Sequence, residues 1–184
     1  MVLARLTVLA GPSGVGKGTV AALVAARYPK VYLSVSATTR AARPGEAEGR
    51  SYFFVSREAF EAAQEAGEML EWAAYNGNLY GTPRQAVEDA LGAGRPALLE
   101  IDLAGARQVR RAMPGARQVF LMPPSWAELE RRLTERGTET DSERAARLAT
   151  AEREILARDE FDYVLTNDDL DRTVASLAAI MGLD

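Results

Sequence analysis

Short apolar runs and longer amphipathic stretches take turns along the chain, a rhythm that predicts alternating strands and helices. Arg5–Ala10 (RLTVLA) reads as a buried strand ended by Gly11-Pro12. Lys17–Tyr28 spaces its apolar residues as a helix does, and Pro29 marks its end. Val31–Ser36 (VYLSVS) is strand-like and leads into a polar, basic loop, TTRAARPGEAEGR. Ser51–Val55 (SYFFV) reads as a further strand. Ser56 then caps a helix reaching Ala66, with Glu58 and Glu61 near its positive end. Met69–Tyr75 and Asn78–Tyr80 flank Asn76-Gly77, a hairpin signal, and a helix follows over Pro83–Leu91.

Regular alternation then returns. Pro96–Asp102 (PALLEID) is a buried-type strand with an acidic end. Helix Gly105–Ala112, strand Arg117–Met122 and helix Ser125–Glu135 follow. After a polar break, RGTETDSE, a long helix runs to Arg158, and strand Tyr163–Leu165 and helix Leu170–Met181 close the chain. Strands alternating with helices at both ends predict an α/β fold, a parallel sheet covered on both faces. The stretch 36–94 breaks the rhythm and reads as an inserted subdomain in a single domain of 184 residues. In such sheets ligands bind at the carboxyl ends of the strands, where Gly11, Ser36 and Asp102 fall.

Composition narrows the chemistry. The chain has no Cys and no His, so thiolate nucleophiles, imidazole bases and cysteine or histidine metal sites are excluded. Carboxylates, arginines, hydroxyls and backbone amides remain, an inventory that suits phosphoryl transfer. A net charge of −4 argues against nucleic acid as a partner. No apolar run approaches the roughly 20 residues of a membrane helix. A cytoplasmic protein with no membrane partner is expected, its oligomeric state left open.

One motif carries most of the signal. Gly11-Pro12-Ser13-Gly14-Val15-Gly16-Lys17 satisfies G-x-x-x-x-G-K between a strand and a helix. Glycines let the backbone wrap a phosphate with its N–H groups turned inward, and the helix adds its positive end. Lys17, one of only two lysines, can reach the β- and γ-phosphates. Where Ser or Thr usually follows the lysine stands Gly18, with Thr19 next. A magnesium ligand from the loop is therefore displaced to Thr19 or replaced by water. Arg40 and Arg43, flanked by hydroxyls and Tyr52, can fork around another phosphate or simply form a solvated basic loop.

GPSGVGKGT, SVSATTRAARPGE, GRSYFFV, LEWAAYNGNLYGT, LLEIDLAGA, RGTETDSERAARL and NDDLD, in that order, closely resemble the guanylate kinase family over nearly the whole chain. The resemblance implies a P-loop NTPase-type core (1–35 and 95–184), an inserted monophosphate-binding subdomain (36–94) and a lid (132–147). It also implies transfer of the γ-phosphoryl of ATP to GMP, and to dGMP, with Mg²⁺. Gly11 through Thr19 and Asn167 would then hold ATP. Arg40, Arg43, Tyr52 and Tyr80 would hold the GMP phosphate, and Ser36, Glu71, Thr82 and Asp102 would surround guanine. Thr82 departs from the Ser often found in the family but keeps the hydroxyl. Lys17, Arg40, Arg132, Arg136 and Arg147 would be the catalytic cations, while Arg131 and Arg144 read as an exposed Arg/Glu face.

The chemistry of guanine agrees. A carboxylate such as Glu71 can accept from N1–H and the 2-amino group together, whereas adenine offers a bare acceptor there. Asp102 is suited either to the base or to steering magnesium-bound water. The GMP phosphate oxygen is already a nucleophile, so in-line transfer needs no strong base. Two other readings stay open at this point: a related P-loop kinase with a different acceptor, and a non-catalytic guanylate-kinase-like module that binds proteins.

Overall fold

A computed structural model describes residues 5–134 and 141–183, the side chains of 141–144 excepted. Strands β1 (Leu6–Ala10), β2 (Tyr32–Leu33), β3 (Ala37–Thr38), β4 (Phe53–Phe54), β5 (Met69–Tyr75), β6 (Asn78–Pro83), β7 (Ala97–Glu100), β8 (Arg117–Met122) and β9 (Tyr163–Thr166) form two sheets. Helices are α1 (Lys17–Arg27), α2 (Arg57–Glu65), α3 (Arg84–Gly92), α4 (Leu103–Ala112), α5 (Trp126–Thr134), α6 (Asp141–Leu156) and α7 (Leu170–Met181).

The first sheet runs β2-β7-β1-β8-β9, every neighbour parallel. Alternate side chains of its strands point to opposite faces. Leu9, Leu98, Val119 and Leu121 pack with Val20 and Val24 of α1 and Val174 and Leu177 of α7. Leu6, Val8, Ala97 and Leu99 pack on the other face with Val87 of α3 and Ala106 and Val109 of α4. Both faces are thus covered, as the α/β pattern predicts.

The second sheet, β4-β3-β6-β5, is mostly antiparallel and lies wholly within residues 37–83. Its β5–β6 hairpin turns at Asn76 and Gly77, both at positive φ (47° and 76°), the geometry a two-residue Asn-Gly turn demands. A register shift between Met69 and Glu71 marks a bulge. Leu70 there joins the core cluster beneath α4, while Glu71 resumes pairing with Thr82.

Several boundaries differ from expectation. The strand expected over Val31–Ser36 is divided: Tyr32–Leu33 joins the parallel sheet and Ala37–Thr38 the second one. SYFFV shrinks to Phe53–Phe54, because the preceding residues form a turn in which Ser51 Oγ accepts from Ala47 N–H at 3.1 Å. Asp102 is not a strand residue; its carboxylate caps α4 by accepting from Gly105 N–H at 2.7 Å. The long helix stops at Leu156 and continues as a 3₁₀ turn to Glu160. Among the described residues no helix is long and apolar enough to cross a membrane.

Candidate active site

The glycine-rich segment forms the loop from the end of β1 to the start of α1. A Cβ on Gly11 would lie 2.4 Å from the Leu121 carbonyl oxygen, so no side chain fits beside β8 there. At Gly16, φ is +99° and a Cβ would meet Asn167 Nδ2 at 2.7 Å. Ser13, Gly14, Gly16, Lys17, Gly18 and Thr19 line a cleft of about 760 Å³, joined by Glu100, Arg132 and Asn167. Gly11, Pro12 and Val15 are buried behind that lining.

Lys17 Nζ donates to the carbonyls of Gly11 (2.7 Å) and Pro12 (3.2 Å), folding back along the loop. Burial lowers its pKa, while the carboxylates of Glu100, Glu154 and Asp102 oppose that shift and favour the ammonium. Glu100 ends β7 and is raised by burial in turn. A Cβ on Gly18 would come within 3.3 Å of its Oε2, so a serine or threonine after Lys17 would crowd that carboxylate. Thr19 lies exposed on the same cleft. A hydroxyl and a carboxylate are oxygen donors of the kind a small hard dication takes when phosphates and water complete its shell.

The loop is braced from three elements. Asn167, after β9, donates from Nδ2 to the Val15 carbonyl at 2.8 Å, so its amide nitrogen supports the loop. Arg132 of α5 donates to the same carbonyl at 3.2 Å and to Glu128 Oε1 at 2.7 Å. The two arginines on Glu128, Arg131 and Arg132, hold its carboxyl at about 2. From α6, Arg147 donates to Ser13 Oγ at 3.1 Å. Arg136 lies outside the described residues.

A second group collects on one face of the second sheet. Thr82 pairs with Glu71, and extending the Ala37–Gly81 pairing by one residue sets Ser36 opposite Thr82. Tyr80, two residues along β6, faces the same way. Glu71 (6% exposed) accepts from Thr82 Oγ1 (0% exposed) at 2.6 Å. Burial pushes the Glu71 carboxyl up to about 7; the Thr82 hydrogen bond opposes this and the nearby Asp102 adds to it. A Cβ on Gly105 would lie 2.7 Å from Glu71 Oε2, so the bare start of α4 makes room for that carboxylate.

Beyond Tyr80 the face turns basic. Arg40 stacks over the Tyr52 ring at 5.3 Å, and Tyr52 meets Tyr80 edge-on at 6.0 Å. Both terminal nitrogens of Arg40 reach Glu46, at 3.0 and 2.8 Å, and Glu46 also accepts from Arg43 N–H. The Arg43 side chain is exposed. Arg40 and Arg43 are therefore organised around Glu46. That residue, with Glu100 and Glu154, was not singled out from sequence; only the Arg-Pro-Gly-Glu spacing hinted at Glu46.

A phosphate loop, a buried carboxylate–hydroxyl pair and an arginine–tyrosine cluster thus share one chain. The guanylate kinase family model matches residues 3–183. The chain belongs to the guanylate kinase family. A guanylate kinase of Parasynechococcus marenigrum (strain WH8102) is 56% identical over 181 residues, which are 98% of this chain and all of that one. One from Streptomyces coelicolor is 57% identical over 176 residues, 96% of this chain and 89% of its own. The crystal structure of guanylate kinase from Anaplasma phagocytophilum superposes with a TM-score of 0.77 at 37% identity, covering 98% of this chain and 86% of that one. In guanylate kinase terms the parallel sheet is the P-loop frame.

Proposed function

We propose that this chain phosphorylates GMP, and dGMP, at the expense of ATP, and that it works in the cytoplasm. The observation that carries the acceptor is the buried Glu71–Thr82 pair, 2.6 Å apart beside Gly105 and Asp102. An ionised Glu71 accepts from N1–H and the 2-amino group of guanine at once, while Ser36 offers a hydroxyl to O6; Thr82, whose one proton goes to Glu71, would serve O6 only by turning away from that carboxylate. Adenine, with an acceptor where guanine has a donor, would leave that carboxylate unpaired, a discrimination worth up to about 10⁴–10⁵.

The residues divide into a core of 1–35 and 95–184, an acceptor subdomain of 36–94 and a lid of about 132–147. ATP lies along Gly11–Thr19, with Lys17 turning from the Gly11 and Pro12 carbonyls to the β- and γ-oxygens. Arg40, Arg43, Tyr52 and Tyr80 hold the acceptor phosphate. Arg132 and Arg147, with Arg136, neutralise the charge that builds on the transferring group. Asn167 keeps the loop in shape beside the nucleotide.

The transfer is in-line and needs no base, because the acceptor oxygen is already anionic. The ion expected is Mg²⁺, which when bound would withdraw charge from the phosphate oxygens of ATP. Thr19 and Glu100 would hold it, directly or through water. Closing the cleft excludes water and limits hydrolysis of ATP.

Coupled ADP release with GMP, dGMP, AMP and UMP tests the reading. GMP is expected to lead by orders of magnitude; equal turnover of AMP would return a kinase with another acceptor. Loss of ATP affinity in Lys17→Ala separates an enzyme from a protein-binding module, which would show none to lose.

A further inference from the structure

The inserted sheet presents β5 as its outer strand, with no strand beyond it among the described residues. In an antiparallel ladder every second residue of such a strand turns its N–H and C=O outward. At Trp72 both groups are taken by one side chain of the core. Gln108 Oε1 accepts from Trp72 N–H at 3.1 Å, and Gln108 Nε2 donates to the Trp72 carbonyl at 2.8 Å. The amide pairs with the strand as a neighbouring peptide would.

Its position gives this contact meaning. Trp72 directly follows Glu71, and Gln108 lies three residues after Gly105, hence on the same side of α4. One face of α4 therefore meets β5 at two successive residues: Gly105 clears space for the Glu71 carboxylate, and Gln108 grips the backbone of Trp72. The bulge at Leu70 fixes the strand on the other side of Glu71, with Leu70 buried under α4.

We infer that Gln108 is a positioning residue for acceptor specificity: it clamps β5 to α4 so that the Glu71 carboxylate is held at one place and angle. This rests on the reading that Glu71 recognises guanine. Gln108 acts through the strand, since both ends of its amide are spent on the Trp72 backbone. Its loss lets the strand edge move and weakens binding through Glu71, while the ATP cleft keeps its own supports at Val15 and Ser13.

The test compares KM for GMP and ATP, the kcat/KM ratio of GMP to inosine monophosphate, and thermal unfolding in wild type, Gln108→Leu, Gln108→Glu and Glu71→Gln. Inosine monophosphate lacks the 2-amino group, so the ratio reports how well Glu71 is aimed. Gln108→Leu keeps the shape and removes both hydrogen bonds. It is expected to raise KM for GMP roughly tenfold, as the loss of one or two ordinary hydrogen bonds permits, with KM for ATP within about twofold. The GMP preference should fall with it. Gln108→Glu keeps the acceptor to Trp72 N–H but sets a carboxylate oxygen against the Trp72 carbonyl, so KM for GMP should rise at least as far as with leucine; it carries the test if the leucine variant does not fold. Unchanged KM for GMP, or KM for both substrates rising in step with lost thermal stability, would overturn the inference. A Glu71→Gln variant with wild-type KM for GMP would instead overturn the guanine reading beneath it.

Discussion

Thr82 Oγ1 donates to Glu71 Oε1 at 2.6 Å across the β5–β6 ladder, both side chains shut away from solvent. A carboxylate in that place is costly unless its lone pairs are used, and the hydroxyl satisfies only part of it. The remaining oxygen lies against the start of α4, where a Cβ on Gly105 would come within 2.7 Å of it. Thr82→Val should lower stability by about 1–2 kcal/mol, the cost of leaving a buried acceptor unmet. Chemical denaturation against wild type measures it.

The titration of Glu71 gives a pH signature. Its folded value, about 7, lies above the ordinary 4.5, so between these the folded chain holds a proton that the unfolded chain has released. Stability from this group is complete below about 4.5 and is lost as pH rises through about 7, by on the order of 3 kcal/mol at most. Glu71→Gln removes the dependence. Its melting temperature should gain on wild type between pH 5 and pH 8; a constant difference would contradict the assignment. If Glu71 accepts from guanine as proposed, GMP requires the ionised form, and KM for GMP in wild type should fall over the same rise in pH.

Gly105→Ala separates binding from stability. The new methyl would lie 2.7 Å from Glu71 Oε2 and 3.3 Å from Asp102 Oδ1, so the carboxylate must shift. Alanine favours the helix over glycine by about 1 kcal/mol, which offsets the crowding. Steady-state kinetics should show KM for GMP raised at least tenfold and KM for ATP unchanged, with a melting temperature near wild type.

Asn167→Ala tests the bracing of the phosphate loop. It removes the 2.8 Å bond to the Val15 carbonyl, worth about 1 kcal/mol. KM for ATP should rise roughly fivefold with KM for GMP unmoved. An equal rise in both would argue that Asn167 supports the whole fold rather than the loop.

The order of strands and helices was legible because local patterns and tertiary packing agree there. The Lys-to-Tyr helix after the glycine loop, the Ser56 cap and the Asn76-Gly77 turn are each set by neighbours a few residues apart. Val31–Ser36 misled because one apolar run serves two sheets, and only the fold decides where it divides. PALLEID hid the change from strand to cap at Asp102, since a buried strand end and an N-cap look alike in sequence. Of the site, the loop stood out through its glycine and lysine spacing, and Glu71 through the resemblance to the guanylate kinase family. Glu46, Glu100 and Gln108 did not, because their partners Arg40, Lys17 and Trp72 come close only through folding, or through loop geometry the letters do not carry. Asn167 was placed near ATP for its motif, and its bond to Val15 becomes visible only once β9 lies beside β1's neighbour β8.

The most direct test of the central claim is coupled ADP release by the full chain with ATP and each of GMP, dGMP, AMP and UMP, repeated with Glu71→Gln. GMP should be turned over orders of magnitude faster than AMP or UMP, and the substitution should cut kcat/KM for GMP by roughly ten- to a hundredfold, as losing a hydrogen bond to a charged group implies. Comparable rates on AMP, or a Glu71→Gln variant as active on GMP as wild type, would contradict it.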